Sequence, residues 1–265
     1  MLVAGLAVLA ILGLAATFAP WIAPHDPEAM DVERIMAAPS WLHPFGSDVF
    51  GRDVLSRVIY SLRVSLLVSL SAVTVSLLIA VPLGLVAGYF GRWVDSAISR
   101  VLDMILVLPA MLLAITFIAI LGPGSAVAAL AIAVIYLPIL ARVMRTSTLV
   151  VVRNDYVSGA RARGAGHLRT ILGHVAPNAL GPVIVQATVL GAFALQLEAG
   201  LSFLGLGTQP PTPSLGGMLS EGRDVMSIAP WVEIFPGLAI MVAVLAFSAV
   251  GAGLRVALDP SGVAE

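Results

Sequence analysis

The sequence predicts an all-α membrane protein with about six transmembrane helices. The mean hydropathy is +1.03, and 59% of the 265 residues are hydrophobic while 11% are charged, which is far more apolar than a soluble domain. Six runs approach the roughly 20 apolar residues that a spanning helix needs. They are Leu2–Ile22, Val64–Tyr89, Ile98–Leu121, Ser125–Ala141, Ala179–Leu201 and Trp231–Leu254.

The six runs divide the chain into three parts. We expect a first transmembrane helix at 1–23, an extracytoplasmic segment at 24–63 and a five-helix core at 64–265. The first run has neither the basic flank nor the cleavage site of a signal peptide, so we expect it to be retained. The fourth run is short, and Arg142 and Arg145 can extend it by snorkelling.

Composition excludes most enzyme classes. All 14 basic residues are arginine, and without lysine there is no Walker A loop to bind nucleotide phosphates. Without cysteine there are no disulfides, thiolate zinc sites or thiol nucleophiles. The histidines have no HExxH spacing, and no GxSxG motif is present. We therefore expect a chain that is not an enzyme, with energy supplied by a partner or by a gradient.

Arginine placement predicts the orientation. With a cytoplasmic N-terminus, most arginines fall in cytoplasmic segments, as the positive-inside rule requires, and the acids favour the outside. The cytoplasmic arginines are Arg92, Arg100, Arg142, Arg145, Arg153, Arg161, Arg163, Arg169 and Arg255, and the outer ones are Arg34, Arg52, Arg57, Arg63 and Arg223.

A polar stretch between the fourth and fifth runs, RNDYVSGARARGAGHLRTILGHVAPN, is the least expected feature. It holds four arginines and one acid. Asp155 can cap a short helix over Tyr156–Arg163, and Gly164 can end it in a left-handed conformation. Pro177 then predicts a break before the fifth span. A second helix is predicted by the i, i+3, i+4, i+7 apolar face of Leu168, Ile171, Leu172 and Val175.

The physics of this stretch leaves three interpretations open. It can lie on anionic lipid, dock into a groove on a cytoplasmic partner, or reflect only the positive-inside bias. In the second run, a stripe of small residues predicts close helix packing, either within the subunit or between subunits. Three prolines interrupt successive helices. The stripe is Ser65, Ser69, Ala72, Ser76, Ala80, Gly84 and Gly88, and the prolines are Pro82, Pro109 and Pro138.

The polar stretch resembles the EAA loop of binding-protein-dependent ABC importer permeases. The pattern of that loop is EAA, three residues, Gly, nine residues and I-x-L-P, which places its glycine on Gly164 and its proline on Pro177. This sequence departs from it at Ser158, Gly159, His174 and Ala176. The peptide-transport form, with DYV-x-AARA-x-G and RH-x-x-PN, fits better. Gly159, Gly173 and Ala176 then remain as departures.

Other segments resemble the C-type permease of dipeptide and oligopeptide importers. HPFGSDVFGRDVLSRVIYSLRVSL resembles the signature GTD-x-x-GRD-x-x-SR, with Ser47 in place of Thr. LSFLGLG, PPTPS and GLRVALDP match later motifs, and the Asn and Asp usual before the last one are Ser248 and Ala252 here. The resemblance covers nearly the whole chain and implies the type I ABC importer permease fold with cytoplasmic coupling helices in loop 142–178.

The resemblance also implies partners and sites. The partners would be a homologous B-type permease, two ABC ATPases that hydrolyse ATP, an extracytoplasmic substrate-binding protein, a peptide substrate and the lipid bilayer of a bacterial inner membrane. No nucleic acid, cofactor or metal is implied. The coupling loop would contact an ATPase through Asp155, Tyr156, Ser158, Gly159, Ala160, Arg161, Gly164, His174, Pro177 and Asn178.

Two further sites are expected towards the outside. Glu198 lies about 30 Å along the fifth helix, near its outer end, in a segment EAGLSFLGLG that resembles the family pattern. We expect it to form a gate with Gln186, Ser202 and Phe203, and the alternative is an interfacial carboxylate that reaches water. Asp48, Arg52 and Asp53 are expected to frame the outer mouth or touch the binding protein, and the alternative is a loop that only stabilises the fold.

Rival functions remain at this point. A gradient-driven transporter or channel usually carries several ionisable groups at mid-membrane and often inverted repeats. This sequence shows no repeat. Only Asp103 and Glu198 lie in apolar runs, and Asp103 can pair with Arg100. A scaffold protein would not need the polar stretch. Nickel and glutathione importers share the permease signatures, so the transported compound stays open between these and peptides.

Overall fold

A computed structural model describes residues 1–258, in which all regular elements are helical apart from one isolated bridge between Ser47 and Asp53. The end of the GLRVALDP motif, residues 259–260, lies outside the described residues. The helices are α1 (Leu2–Thr17), α2 (Ala19–Ile22), α3 (Val54–Phe90), α4 (Arg92–Val107), α5 (Ala110–Leu121), α6 (Ser125–Val151), α7 (Asp155–Ala162), α8 (His167–Thr170), α9 (Ala176–Phe203), α10 (Leu215–Gly222) and α11 (Trp231–Leu258). The expected all-α class is confirmed.

Four of these helices are long and apolar enough to cross a membrane. They are α3, α6, the continuous helix His167–Phe203 and α11. The pair α4 and α5 adds a fifth span if its two parts are counted together, and the apolar α1 is shorter, with 16 residues. About six transmembrane helices is therefore a plausible count.

The predicted third span is bent. Helices α4 and α5 meet at an angle of 89°, because Leu108 is extended (φ −80°, ψ 131°) and Pro109 follows it. Proline removes a backbone donor and disfavours the helical conformation of the residue before it. Ile98–Leu121 is thus not one straight helix.

Two helices extend well past the apolar runs that predicted them. Helix α3 begins at Val54 rather than Val64, and α6 ends at Val151 rather than Ala141. In α6 the additional turns carry arginines whose charges are paired by α4. Arg145 binds Asp95 bidentately, and Arg142 binds Asp103 at 2.6 Å. The expected pairing of Asp103 with Arg100 is wrong, since Asp103 reaches across to another helix instead.

The centre of the core is the contact between α3 and α6. All seven residues of the small-residue stripe are buried. A Cβ added at Gly84 would lie 2.6 Å from the carbonyl oxygen of Ala141, and one at Gly88 would lie 2.8 Å from that of Arg145. Only glycine allows the two backbones to approach this closely. The stripe therefore packs within the subunit, as the first of the two interpretations had it.

The predicted break at Pro177 is wrong. Helix α8 continues through a π-helical turn at Ile171–Val175 directly into α9. A π-turn accommodates the missing proline donor by widening the backbone one turn earlier. The Asn178 side-chain amide donates to the His174 carbonyl at 2.8 Å, which satisfies a carbonyl near the irregular turn.

Candidate functional sites

The coupling loop contains one short helix anchored by two residues. Val157 and Ala160 are buried, while Asp155, Tyr156 and Ser158 on α7 are exposed. The apolar pair fastens α7 to the membrane helices, since Val157 belongs to the main hydrophobic core. The remaining face of α7 is polar and exposed.

Gly164 ends α7 in the predicted conformation. Its φ is +84°, its N–H donates to the Arg161 carbonyl at 2.9 Å, and the N–H of Ala165 donates to the Ala160 carbonyl at 3.1 Å. This pair of bonds is the Schellman motif, which requires a left-handed residue at the position of Gly164. The prediction for Gly164 is confirmed.

The prediction that Asp155 caps α7 is wrong. The N-cap is Asn154, and no side chain makes a capping hydrogen bond there. The Asn154 carbonyl accepts from the amides of Val157 and Ser158 instead. Asp155 is the first helical residue, where its negative charge still interacts favourably with the N-terminal end of the helix dipole.

The second predicted helix keeps half of its apolar face. Ile171 and Val175 are buried, but Leu168 and Leu172 are exposed, because the π-turn changes which residues share a face. His174 is half-buried. Pro177 and Asn178 are exposed and line a groove of about 950 Å³ between α6 and α9.

Two members of the coupling set lie apart from the polar face. Gly159 is half-buried, and the Arg161 guanidinium lies over the Tyr89 ring of α3, 4.6 Å from its centroid. Arg161 is still exposed. Sequence reasoning did not select Tyr89, because it is one of several aromatic residues near the end of an apolar run.

Glu198 is buried in the last two turns of α9. It is 1% exposed, so the alternative of a carboxylate that reaches water is wrong. The Ser202 hydroxyl donates to Oε1 of Glu198 at 2.8 Å and accepts from the Thr208 amide at 3.4 Å. Glu198 thereby connects, through Ser202, to the loop that follows α9.

The other two expected gate residues differ in position. Phe203 is half-buried at the last turn of α9. Gln186 lies more than three turns earlier and lines a pocket together with Arg255 near the end of α11. The structure thus brings Ser202 to Glu198 but does not bring Gln186 there.

Asp48 and Arg52, in the segment before α3, belong to a buried ion network. Arg52 binds Asp48 at 2.7 Å and Glu221 of α10 at 2.7 Å, and Arg57 lies 3.1 Å from Glu221 and 3.4 Å from Asp48. Asp48, Arg52 and Arg57 are all buried. Two cations and two anions therefore neutralise one another and join the start of α3 to α10.

Two members of this network were not predicted. Arg57 is the last arginine of the GRD-x-x-SR signature, so the motif could have indicated it. Glu221 is 164 positions from Arg57, and nothing local in the sequence points to it.

Asp53 is the N-cap of α3. It accepts from the amide and the hydroxyl of Ser56 at 2.8 and 2.7 Å, and from Nδ1 of His43 at 2.8 Å. Nε2 of His43 lies 2.6 Å from the Arg34 guanidinium, which can only donate. His43 therefore accepts through Nε2 and donates through Nδ1.

His25 completes a cluster with His43 and Asp53 whose ligand atoms lie within 4.8 Å of one another. The two imidazole rings are stacked, with centroids 4.5 Å apart and planes inclined by 27°. Lone pairs in nearly parallel planes do not converge on one metal ion, and both nitrogens of His43 already have hydrogen-bond partners. His43 and Asp53 are therefore a hydrogen-bonded pair on which the His25 ring stacks.

Comparison with known proteins places this architecture. Residues 80–261 match the family described as "Binding-protein-dependent transport system inner membrane component". Residues 1–39 match "N-terminal TM domain of oligopeptide transport permease C". Two solved structures share the fold. An inward-facing MetNI methionine ABC transporter has a TM-score of 0.63 at 16% identity, covering 77% of this chain and 96% of that one. An amino acid ABC transporter has a TM-score of 0.60 at 17% identity, covering 76% and 94%.

Curated relatives are similar over almost the whole chain. The "Di/tripeptide transport system permease protein DppC" of Pseudomonas aeruginosa is 44% identical, covering 97% of this chain and 86% of that protein. The "Dipeptide transport system permease protein DppC" of Alkalihalophilus pseudofirmus is 43% identical, covering 97% and 85%. The "Glutathione transport system permease protein GsiD" of Pectobacterium atrosepticum is 41% identical, covering 97% and 85%. These matches decide against a gradient-driven transporter, a channel or a scaffold, and the chain belongs to the family of inner membrane components of binding-protein-dependent transport systems.

Proposed function

We propose that this chain is the C-type permease subunit of an ATP-driven importer for dipeptides or oligopeptides. It would form the translocation path with a homologous B-type permease, and two ABC ATPases and an extracytoplasmic substrate-binding protein would complete the complex. The observation that carries the proposal is the similarity to peptide permeases over 97% of the chain. The chain itself supplies no catalytic residue, and the ATPase subunits hydrolyse ATP.

The cytoplasmic loop is the proposed ATPase contact. Its support is structural, since α7 exposes Asp155, Tyr156 and Ser158 on a helix held by only two buried residues. A short helix with a polar outer face and a fixed inner face can be gripped by a groove on a partner. If α1, α3, the α4–α5 pair and α6 each cross the membrane, an even number of spans precedes the loop, so a cytoplasmic loop would place the N-terminus in the cytoplasm as well.

We propose a gate at the outer end of α9. Glu198 and Ser202 hold the following loop through the Thr208 amide, so a shift of α9 is passed to the outer mouth. Phe203 lies at the same level, whereas Gln186 lies deeper and would face the path nearer the cytoplasmic side.

Asp48, Arg52 and Asp53 are proposed to shape the binding-protein surface without touching the binding protein. All three are buried. Asp48 and Arg52 form ion pairs with each other and with Arg57 and Glu221, and Asp53 accepts hydrogen bonds from Ser56 and His43. A buried network of this kind favours one arrangement of the outer segment over alternatives, and residues around it would make the contact.

Glutathione is the second candidate substrate, because the 41% identical GsiD is a glutathione permease by name. The test is uptake by the reconstituted complex, with its partner subunits, of a labelled dipeptide and of labelled glutathione. ATP-dependent dipeptide uptake that survives a protonophore supports the proposal. Uptake of glutathione alone would replace peptide with the second candidate, and uptake that the protonophore abolishes would contradict both.

A further inference from the structure

Near the end of α3, the side chain of Tyr89 contacts both short helices of the coupling loop, α7 and α8. The Arg161 guanidinium of α7 lies over the Tyr89 ring at 4.6 Å. The Tyr89 hydroxyl and Nδ1 of His167, the first residue of α8, are hydrogen-bonded at 3.0 Å. Both parts of the loop therefore bind the same residue of α3, one through its ring and one through its hydroxyl.

Tyr89 lies at a position from which movement of the loop can be passed to the whole of α3. Tyr89 is the second-last residue of a helix that runs without a break from Val54 to Phe90. At the other end of α3, Arg57 belongs to the extracytoplasmic ion network and Asp53 caps the helix. The helix continues through Pro82, which was expected to interrupt it, so a force applied at Tyr89 acts on one continuous helix that ends at the ion network.

The other attachments of α7 and α8 are made by apolar packing and by the backbone. Val157 packs into the main hydrophobic core, and the π-turn joins α8 to α9. Among the described residues, the side-chain hydrogen bond and the cation–π contact that join α7 and α8 to α3 both involve Tyr89, and the neighbouring Phe90 also contacts the His167 ring, with centroids 5.8 Å apart. Arg163, on the same loop, makes neither kind of contact, which provides a matched comparison.

We propose that Tyr89 is a positioning residue that couples α7 and α8 to α3, so that movement of the loop driven by the ATPases also moves α3. This inference rests on the proposed function of the loop as the ATPase contact. In this arrangement Arg161 serves α3 rather than the ATPase, and Asp155, Tyr156 and Ser158 remain the outward contacts.

The test uses the complete complex reconstituted in liposomes, in which substrate uptake and ATP hydrolysis are measured together. We expect Tyr89→Leu and Arg161→Ala to lower the uptake per ATP hydrolysed by about two- to five-fold, as expected for loss of an exposed cation–π contact. Tyr89→Phe keeps the ring and should lose less. Arg163→Ala should behave as wild type. Because Tyr89 and Arg161 share one contact, the double variant should be no worse than the poorer single variant.

Each result decides the proposal. A wild-type ratio in Tyr89→Leu, or losses that add in the double variant, would overturn it. So would a Tyr89→Leu complex that fails to retain its ATPase subunits, because Tyr89 would then serve assembly rather than coupling. The wild-type complex distinguishes the two levels of inference. If it takes up substrate with ATP while Tyr89→Leu is normal, only the role of Tyr89 is wrong, and if it takes up none, the proposed function fails.

Discussion

The two ends of this permease are built in opposite ways. At the proposed extracytoplasmic end, four charged side chains from three parts of the sequence form a network, and Asp48, Arg52 and Arg57 in it are at most 6% exposed. At the proposed cytoplasmic end, α7 is held by Val157, Ala160 and the exposed Tyr89 contact. The buried network holds its end in one arrangement, whereas α7 presents an exposed surface that few contacts hold in place.

This difference follows from the cost of burying charge. A buried ion network stabilises a single geometry only while every member is present, because removing one leaves another charge unpaired in a medium of low polarity. An exposed contact such as Arg161 on Tyr89 contributes about 1 kcal/mol or less, so it can be remade as the loop moves. We therefore expect substitutions outside to affect folding and substitutions inside to affect coupling.

The largest expected effect is loss of stability from Asp48→Ala. Two buried guanidinium groups would then share Glu221 alone, and the Phe50 and Arg52 amides would lose the carboxylate that accepts from them. We expect the free energy of unfolding to fall by about 3–5 kcal/mol. Thermal denaturation of the purified protein measures it.

Asp224→Ala, at an acid that is 80% exposed, is the control and should change stability by no more than about 0.5 kcal/mol. Equal melting temperatures for Asp48→Ala and wild type would show that the network does not stabilise the fold.

The next effect is loss of transport from Gly164→Asp. A side chain at φ +84° costs about 1 kcal/mol locally, which is too little to unfold the protein but enough to displace the end of α7. We expect uptake to be abolished at normal membrane insertion. Gly166→Asp is the matched control, because Gly166 has an ordinary φ of −63° and also has open space around it. Normal uptake by Gly164→Asp would mean that this turn does not transmit the ATPase movement.

These two predictions also mark what the sequence could and could not indicate. Hydropathy located every apolar run, and the left-handed Gly164 followed from local turn chemistry. The ends of the helices were harder to predict from the sequence. Helix α6 continues past Ala141, where Asp95 and Asp103 of another helix pair its arginines. The prediction of a helix break at Pro177 was wrong because a π-helical turn one turn earlier lets the helix continue without the proline N–H. The ion network depends on Glu221, whose proximity to Arg57 is created by folding alone.

An intermediate effect is expected at Glu198, in the last two turns of α9. Glu198→Ala removes the acceptor of the Ser202 hydroxyl and frees the loop at Thr208. We expect high basal ATP hydrolysis without the binding protein. Glu198→Gln keeps an acceptor oxygen and should do less harm. If both variants transport normally and keep tight stimulation by binding protein, the gate assignment is wrong.

The smallest effect on transport, and the sharpest check on the comparison, comes from two single-cysteine variants. The chain has no cysteine, and Ser158 on α7 and Ser227 between α10 and α11 are both exposed, so Ser158→Cys and Ser227→Cys should transport nearly as well as wild type. They should differ in labelling. In intact cells a membrane-impermeant thiol reagent should modify Ser227→Cys and spare Ser158→Cys, and after permeabilisation it should modify both. Because the permeabilised sample shows that both sites can react, unequal labelling in intact cells reports the side of the membrane rather than burial. Rapid modification of Ser158→Cys in intact cells would invert the proposed orientation, and the loop that carries Gly164, Arg161 and the Tyr89 contact could then not meet an ATPase.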